Sequence, residues 1–226
     1  MAKKICVGIL FGGKSAEHEV SLRSAKNVAE GIAKDKYEVV LIGIDKSGRW
    51  LLNNDSNFLL SKAGQPMPKL VKGGKEVAII PESAGALTSV RDGGAFGAPV
   101  DVVFPILHGP FGEDGTVQGL LKLAGIPFVG AGVLGSAVGM DKDVMKRLLR
   151  EAGIKIGKFL TFKTDDKIAF TKVKKEFGLP IFVKPANMGS SVGVSKVRNE
   201  KEFKEAVAEA FKYDNKIIVE ENIAGR

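Results

Sequence analysis

Short apolar runs alternate with amphipathic segments along most of this chain, and that alternation restricts it to an α/β architecture. Lys4 to Phe11 reads as a buried strand. Ser21 to Ala33 follows as a helix, with Leu22, Ala25, Val28, Ala29 and Ile32 on one stripe. Tyr37 to Ile44 is a second strand, and Gly48-Arg49-Trp50-Leu51-Leu52 is the return arm of a hairpin. From Asn53 to about Pro99 the pattern weakens into Gly, Pro, Ser and Lys, with one strand candidate at Val77 to Ile80. That stretch is expected to be a surface excursion. Val100 to Leu107 is nearly all apolar, which suits a sheet covered on both faces.

The rest of the order points to two domains. Thr116 to Leu123 is helical and Pro127-Phe128-Val129 is a short strand, and together they complete an open parallel sheet over residues 1–136. Residues 137–226 mix the two element types. Asp141 to Ala152 is an amphipathic helix, and Ile156 to Phe162 and Pro180 to Lys184 are strands flanking the helix Lys167 to Phe177. Ser191 to Val197 is another strand. Asn199 caps a helix that runs to about Tyr213, with Glu202 placed for the reciprocal bond of a capping box, and Lys216 to Glu221 is the last strand.

Composition excludes several classes. The 226 residues can bury a sizeable core, and 44% hydrophobic with 27% charged residues is ordinary for a folded soluble chain. The formal charge of +8 comes from lysines spread along the chain without interleaved aromatics, which is a solvated surface rather than a nucleic-acid site. The lone Cys6 cannot form an internal disulfide, so a reducing compartment, the cytoplasm, is expected. The apolar run after Met1-Ala2-Lys3-Lys4 lacks a cleavage pattern, and no stretch approaches the ~20 apolar residues of a membrane span.

Two glycine motifs mislead. Gly8-Ile9-Leu10-Phe11-Gly12-Gly13-Lys14-Ser15 has Walker A spacing, but Ile-Leu-Phe belong inside the strand and Glu17 and Glu19 follow where phosphate would be repelled. What remains is a Gly-Gly turn at the carboxyl end of the first strand, the edge where open α/β sheets bind ligands. Gly130-Ala131-Gly132-Val133-Leu134-Gly135 has the dinucleotide spacing, but its strand is short and no acid-ended strand follows, so nicotinamide binding is not expected.

A third element is better placed. Lys184 ends a strand, and Asn187-Met188-Gly189-Ser190-Ser191-Val192-Gly193-Val194 returns into another, so a flap of N–H groups and hydroxyls can lie over phosphates with Lys184 at its base. The alternative is a plain β-turn with a surface lysine. His108-Gly109-Pro110-Phe111-Gly112-Glu113-Asp114-Gly115 follows the all-apolar strand, so both histidines of the chain, His18 and His108, fall in sheet-edge loops.

Together these segments resemble the D-alanine:D-alanine ligases of the ATP-grasp class. Phe11-Gly12-Gly13-Lys14-Ser15-Ala16-Glu17-His18-Glu19-Val20-Ser21 is similar to the family's N-terminal signature, and Leu107-His108-Gly109 through Gly112-Glu113-Asp114-Gly115 to its second. Met140-Asp141-Lys142 with Lys146 and Leu149 resembles the first helix of the ATP-grasp domain, Lys184-Pro185 through Gly193 the phosphate flap, and Ile217-Ile218-Val219-Glu220-Glu221 the adenine-side strand. The fold implied is α/β: a Rossmann-like, pre-ATP-grasp domain followed by the α+β first subdomain of an ATP-grasp fold, truncated.

The resemblance also implies roles. Glu17 would hold the ammonium of the first D-alanine, Ser190 would bond near Glu17 and help close the flap, and Val20 and His108 would line the first substrate. Lys142 and Lys184 would reach ATP phosphates under Gly189, Ser190, Ser191, Val192 and Gly193. Glu220 would meet the adenine amino group, with Glu221 and Ile223 lining the base. The reaction implied is phosphorylation of one D-alanine by ATP and attack on the acyl phosphate by a second, and the assembly implied is a homodimer through the N-terminal domain. D-lactate or D-serine as second substrate, and a non-catalytic binding module, stay open. The family's Mg²⁺ (or Mn²⁺) ligands fall in a further domain beyond Arg226. The 226 residues alone are therefore expected to bind ATP weakly and not to ligate, which steady D-alanine-dependent phosphate release would refute. The +8 charge is expected to be offset by an acid-rich remainder.

Overall fold

A computed structural model describes residues 3–53, 74–81, 83–97 and 99–225. The chain divides into two compact units, residues 1–136 and 137–226.

The first unit is built on one seven-stranded sheet. Its strands are β1 (Ile5–Gly12), β2 (Tyr37–Ile44), β3 (Trp50–Asn53), β4 (Lys75–Ala78), β5 (Leu87–Ser89), β6 (Ala95–Phe96) and β7 (Val102–Leu107), in the order β6-β5-β4-β3-β2-β1-β7. β1 is parallel to β2 on one side and to β7 on the other, with Gly12 opposite Ile44 and Leu107. The carboxyl ends of all three parallel strands thus meet at one level, and the chain switches sides of β1 there, which is where open α/β sheets form ligand crevices.

Period-two alternation along β1 separates two cores. Val7, Ile9 and Phe11 pack with Leu22, Ala25 and Ala29 of α1 (His18–Gly31) on one face. Cys6 and Leu10 pack with Val117 and Leu121 of α2 (Thr116–Leu123) on the other. Ile9, Leu10 and Phe11 are fully buried, which is worth roughly 1.5–3 kcal/mol each.

β1, β2 and β7 form the expected parallel sheet, β3 is the expected hairpin return arm, and β4 to β6 extend the sheet beyond it. β3 to β6 are antiparallel, each paired with its predecessor. Part of the expected surface excursion is therefore sheet, and Val77, Ile79 and Leu87 join the core. Strands of two to four residues between glycines leave little periodicity to read. The remaining part, 54–73, lies outside the described residues. Val100 is buried but precedes β7. The expected strand at 127–129 is a single parallel bridge between Phe128 and Val103, and α3 (Val133–Met140) begins inside the G-x-G-x-x-G spacing.

The second unit has a four-stranded antiparallel sheet. Its strands β8 (Phe159–Lys163), β9 (Ile181–Pro185), β10 (Ser195–Val197) and β11 (Lys216–Glu221) run in the order β10-β9-β11-β8. Ile181, Val183, Val197, Ile217 and Val219 face one way and pack with Val173 of α5 (Phe170–Phe177) and with Phe203, Ala206 and Ala210 of α6 (Glu200–Ala210). The predicted strand 191–197 shortens to 195–197 because Gly189 to Val194 form turns, with Ser190 and Ser191 at positive φ. Asn199 caps α6 by accepting the Glu202 N–H at 2.9 Å. The return bond goes one residue earlier than a capping box predicts: the Glu202 carboxylate accepts the Arg198 N–H at 2.8 Å.

Candidate functional site

In the first unit, Gly12 and Gly13 at φ 89° and 95° end β1 and turn the chain into α1. Helix α1 begins at His18 rather than at the predicted Ser21, with Glu17 as its N-cap residue. That earlier start puts Ser21 inside the first turn, fully buried, where it joins two strand ends. The Gly12 N–H donates to Ser21 Oγ at 2.7 Å, and the Ser21 hydroxyl donates to the Ile106 carbonyl. His18 is buried and its Nδ1–H donates to the Gly13 carbonyl at 2.7 Å, so it braces the turn.

The loop after β7 docks on the same turn. The Ser15 hydroxyl donates to the His108 carbonyl at 2.7 Å, and Ser24 Oγ lies 3.2 Å from His108 Nε2. Gly109, at φ 73°, lies so close to Glu17 that a Cβ there would come within 2.7 Å of Glu17 Oε2. Its N–H donates to the Glu113 carboxylate at 2.7 Å. Glu17 and His108 are thus gathered at one strand edge, with the half-exposed Val20 in the first turn of α1. Behind the turn lies a mostly apolar cleft of about 220 Å³ lined by Gly12, Gly13, Trp50, Leu107, Phe111 and Val117. Sequence reading missed Ser21 and Ser24, although two serines at helical spacing beside the apolar stripe were a readable signal.

In the second unit, the face of the sheet opposite its core mixes apolar residues such as Ile218 and Phe182 with charged ones. Alternation places Lys216 and Glu220 of β11 and Lys184 of β9 there. Helix α4 (Lys142–Glu151) covers this face. It is capped by Asp141, whose Oδ1 accepts the N–H groups of Asp143 and Val144, both at 3.1 Å. Positions four apart share a helix side, so Lys142 and Lys146 both point at the site. Lys142 Nζ donates to the carbonyls of Ala186 and Met188 at the root of the flap. Lys146 Nζ meets Glu220 Oε1 at 2.9 Å, and Lys184 Nζ pairs with Glu220 Oε2. A neighbouring cluster fixes the helix start: Lys216 pairs with Asp141, and Asp143 accepts from Arg147 at 2.6 Å and from Thr161 at 2.8 Å.

Glu220 is paired with Lys146 and Lys184, and Lys142 also feels the carboxylates of Asp214 and Asp141. Burial alone would raise the Glu220 carboxyl, but pairing with Lys184 and Lys146 outweighs it and holds the group below its ordinary value. Burial, reinforced by the charge of Lys184, pushes the Lys142 ammonium below its ordinary value. Asp143 is likewise held low against burial by Arg147 and Thr161. Carboxylates depressed in the folded state stabilise it above the ordinary carboxylate range and lose that contribution as pH falls through their folded values. Protection of α4 and β11 amides against hydrogen exchange should therefore stay level above that range and drop below it. In Glu220→Gln the drop should be shallower, and an unchanged pH profile would contradict this.

The remaining expected positions divide. Gly189 to Gly193 form the loop above Lys184, and Gly193 packs so tightly that a Cβ would fall 2.9 Å from Pro185. Glu221 faces away from Glu220 and accepts the Lys158 N–H at 2.7 Å. Ile223 is 70% exposed. Among the described residues no group of three or more His, Cys, Asp or Glu could hold a metal ion, and no helix is long and apolar enough to cross a membrane.

This double arrangement has known counterparts. The family description "D-ala D-ala ligase N-terminus" matches residues 6–131, more than half of the chain. This chain belongs to the D-alanine–D-alanine ligase family. The "D-ala D-ala ligase C-terminus" description matches residues 148–226. The D-alanine–D-alanine ligase of Oceanobacillus iheyensis is 50% identical over an alignment covering 100% of this chain and 62% of that protein. The solved D-alanine–D-alanine ligase of Coxiella burnetii is 37% identical with a TM-score of 0.85, covering 99% of this chain and 65% of that one. The VanG D-Ala:D-Ser ligase of Enterococcus faecalis is 36% identical with a TM-score of 0.83, covering 99% and 64%. The chain thus spans less than two thirds of the length of these family members. Residues 132–147, which include Lys142 and Lys146, lie between the two matched regions.

Proposed function

We propose that this chain carries the first-substrate and nucleotide-binding parts of an ATP-dependent ligase that joins two D-alanine molecules through an acyl phosphate. The observation that carries the reading is the convergence of Lys142 and Lys184 beneath a glycine- and serine-rich flap, with Glu220 paired to Lys184 and Lys146, in a chain of this family. The partly desolvated Lys142 ammonium beside Lys184 suits an anion better than it suits the empty protein, and triphosphate is that anion. Lys142 and Lys184 would meet phosphate oxygens, and N–H groups from Gly189 to Gly193 would cover them. Such a cover also excludes the water that would hydrolyse an acyl phosphate. Glu220 would accept from the adenine amine, with Glu221 and Ile223 along the base.

In the first unit, Glu17 would bind the ammonium of the first D-alanine, and Val20 and His108 would bound its remaining sides. Ser24 fixes the His108 ring and Ser15 its backbone, so this edge is rigid before substrate arrives. Ser190, in the second unit, would help close the flap over the substrate. The family's Mg²⁺ has no ligand set among the described residues, and no role above depends on it. A homodimer through the first unit and a cytoplasmic location belong to the same reading.

Titration calorimetry of the purified chain with ATP, alone and with saturating D-alanine, tests this. ATP should bind, and D-alanine should tighten it. Glu17→Gln should abolish the D-alanine effect and leave ATP affinity unchanged. Absence of ATP binding, or a D-alanine effect that survives Glu17→Gln, would sink the assignment. D-Serine and D-lactate in parallel arms report how narrow the substrate site is.

A further inference from the structure

Glu220 is gripped by two lysines, yet only one of them stands at the base of the flap. Lys184 takes Oε2 and leads directly into Pro185 and the loop above. Lys146 forms an ion pair with Oε1 at 2.9 Å, an oxygen that accepts no hydrogen bond. The Lys146 side chain is 15% exposed, its Nζ lies 5.3 Å from the centre of the Phe159 ring, and the Gly157 carbonyl is 3.4 Å away. Lys184, 24% exposed, adjoins the flap, and Lys146 is the more enclosed of the two.

We propose that Lys146 is a positioning residue that keeps Glu220 anchored while Lys184 transfers to a nucleotide phosphate, and that it thereby sets the preference for adenine over guanine nucleotides. The inference rests on the ATP-binding reading above. An ionised carboxylate only accepts hydrogen bonds, so it pairs with the exocyclic amine of adenine and repels the carbonyl oxygen that guanine has at that position. If Lys184 left and Lys146 were absent, the buried Glu220 would have no paired cation and would take up a proton. A protonated carboxyl donates as well as accepts, and the discrimination disappears. The charged groups facing Glu220 are Lys184 from β9 and Lys146 and Lys142 from α4. The residues opposite it on β8 and β9, Phe159 and Phe182, are uncharged. Once Lys184 and Lys142 engage phosphate, Lys146 is the cation left to Glu220.

The test measures ATP, GTP and inorganic tripolyphosphate binding by calorimetry at pH 8 and pH 5.5. It compares the native chain with Lys146→Met, Lys146→Arg, Glu220→Gln and the Lys146→Met/Glu220→Gln double variant. Lys146→Met should weaken ATP about tenfold, leave tripolyphosphate unchanged, and bring the ATP-to-GTP ratio toward one, further at pH 5.5 than at pH 8. Lys146→Arg should restore the ratio. In the Glu220→Gln background, Lys146→Met should cost no further ATP affinity. An equal loss for ATP, GTP and tripolyphosphate, an unchanged ratio, or a further loss in the Glu220→Gln background overturns the proposal. If Lys146→Met fails to fold, the double variant carries the comparison, because it removes the charge that methionine strands; a double variant that also fails to fold overturns the proposal too. A native chain that binds neither nucleotide defeats the ATP reading itself and this inference with it. Native binding with an unmoved ratio in Lys146→Met defeats the inference alone.

Discussion

Replacing Gly12 by alanine should lower the stability of the first unit by about 3 kcal/mol or more, a large effect for a single methyl group. Gly12 sits at φ 89°, where a side chain is strained whatever the surrounding space. The space is also missing, because a Cβ would stand 2.3 Å from the Ile44 carbonyl oxygen. That oxygen is backbone in the neighbouring strand and already accepts the Gly13 N–H at 2.8 Å. Relief therefore requires β1 and β2 to part at their carboxyl ends, where the turn into Glu17 and His18 begins. Gly31→Ala is the control: nothing lies within 4 Å of a Cβ at that helical position, and the change should be neutral or slightly stabilising. Urea unfolding followed by the fluorescence of Trp50, the single tryptophan and a wall of the adjoining cleft, reads both. A midpoint shift for Gly12→Ala no larger than that for Gly31→Ala would refute the argument.

Lys142→Met should separate binding from stability. ATP affinity should fall about 100-fold, the usual scale for losing a partly buried charged hydrogen-bonding group. Thermal stability should change by no more than about 1 kcal/mol. The cation is disfavoured where it stands, by burial first and by Lys184 second, so its removal relieves a cost. The carbonyls it leaves are not both orphaned, since Ala186 also accepts the backbone N–H of residue 142 at 3.1 Å. A ligand-binding group that strains the empty protein is the usual form of a stability–function compromise. Calorimetry with ATP and differential scanning calorimetry without it check the two halves. Parallel losses in both would make Lys142 a structural residue.

The parts legible in the sequence were those whose physics is local. β1, α1, β2 and β11 declare themselves by apolar periodicity, and Asn199 and Asp141 by cap chemistry. The failed Walker pattern was also readable, because Ile9, Leu10 and Phe11 had to lie inside a strand, and they are fully buried there. Of the antiparallel strands β4 to β6, only β4 was marked, by the strand candidate at Val77 to Ile80. Their core is made of isolated residues, Val77 and Leu87, set between turns rather than in periodic runs. Long-range polar links were also invisible. Ser21 joins β1 to β7 across 85 positions of chain, and Lys146 and Glu220 are 74 apart. Nothing in either local sequence states the partner. Glycine and serine at the flap marked its place, while the counter-ion geometry beneath it required coordinates.

The strand order of the first unit carries a kinetic consequence. β2–β3, β4–β5 and β5–β6 are neighbours in sequence and can close as hairpins early, at small entropic cost. β1 and β7 must find each other in parallel register across more than 90 residues, and such non-local pairing comes late. The turn at Gly12–Glu17 and the loop at His108–Gly109 are held together by that pairing and by the bonds from Ser15 and Ser21 that bridge it. The candidate substrate edge is therefore assembled in the last stage of folding, after most of the sheet that supports it already exists.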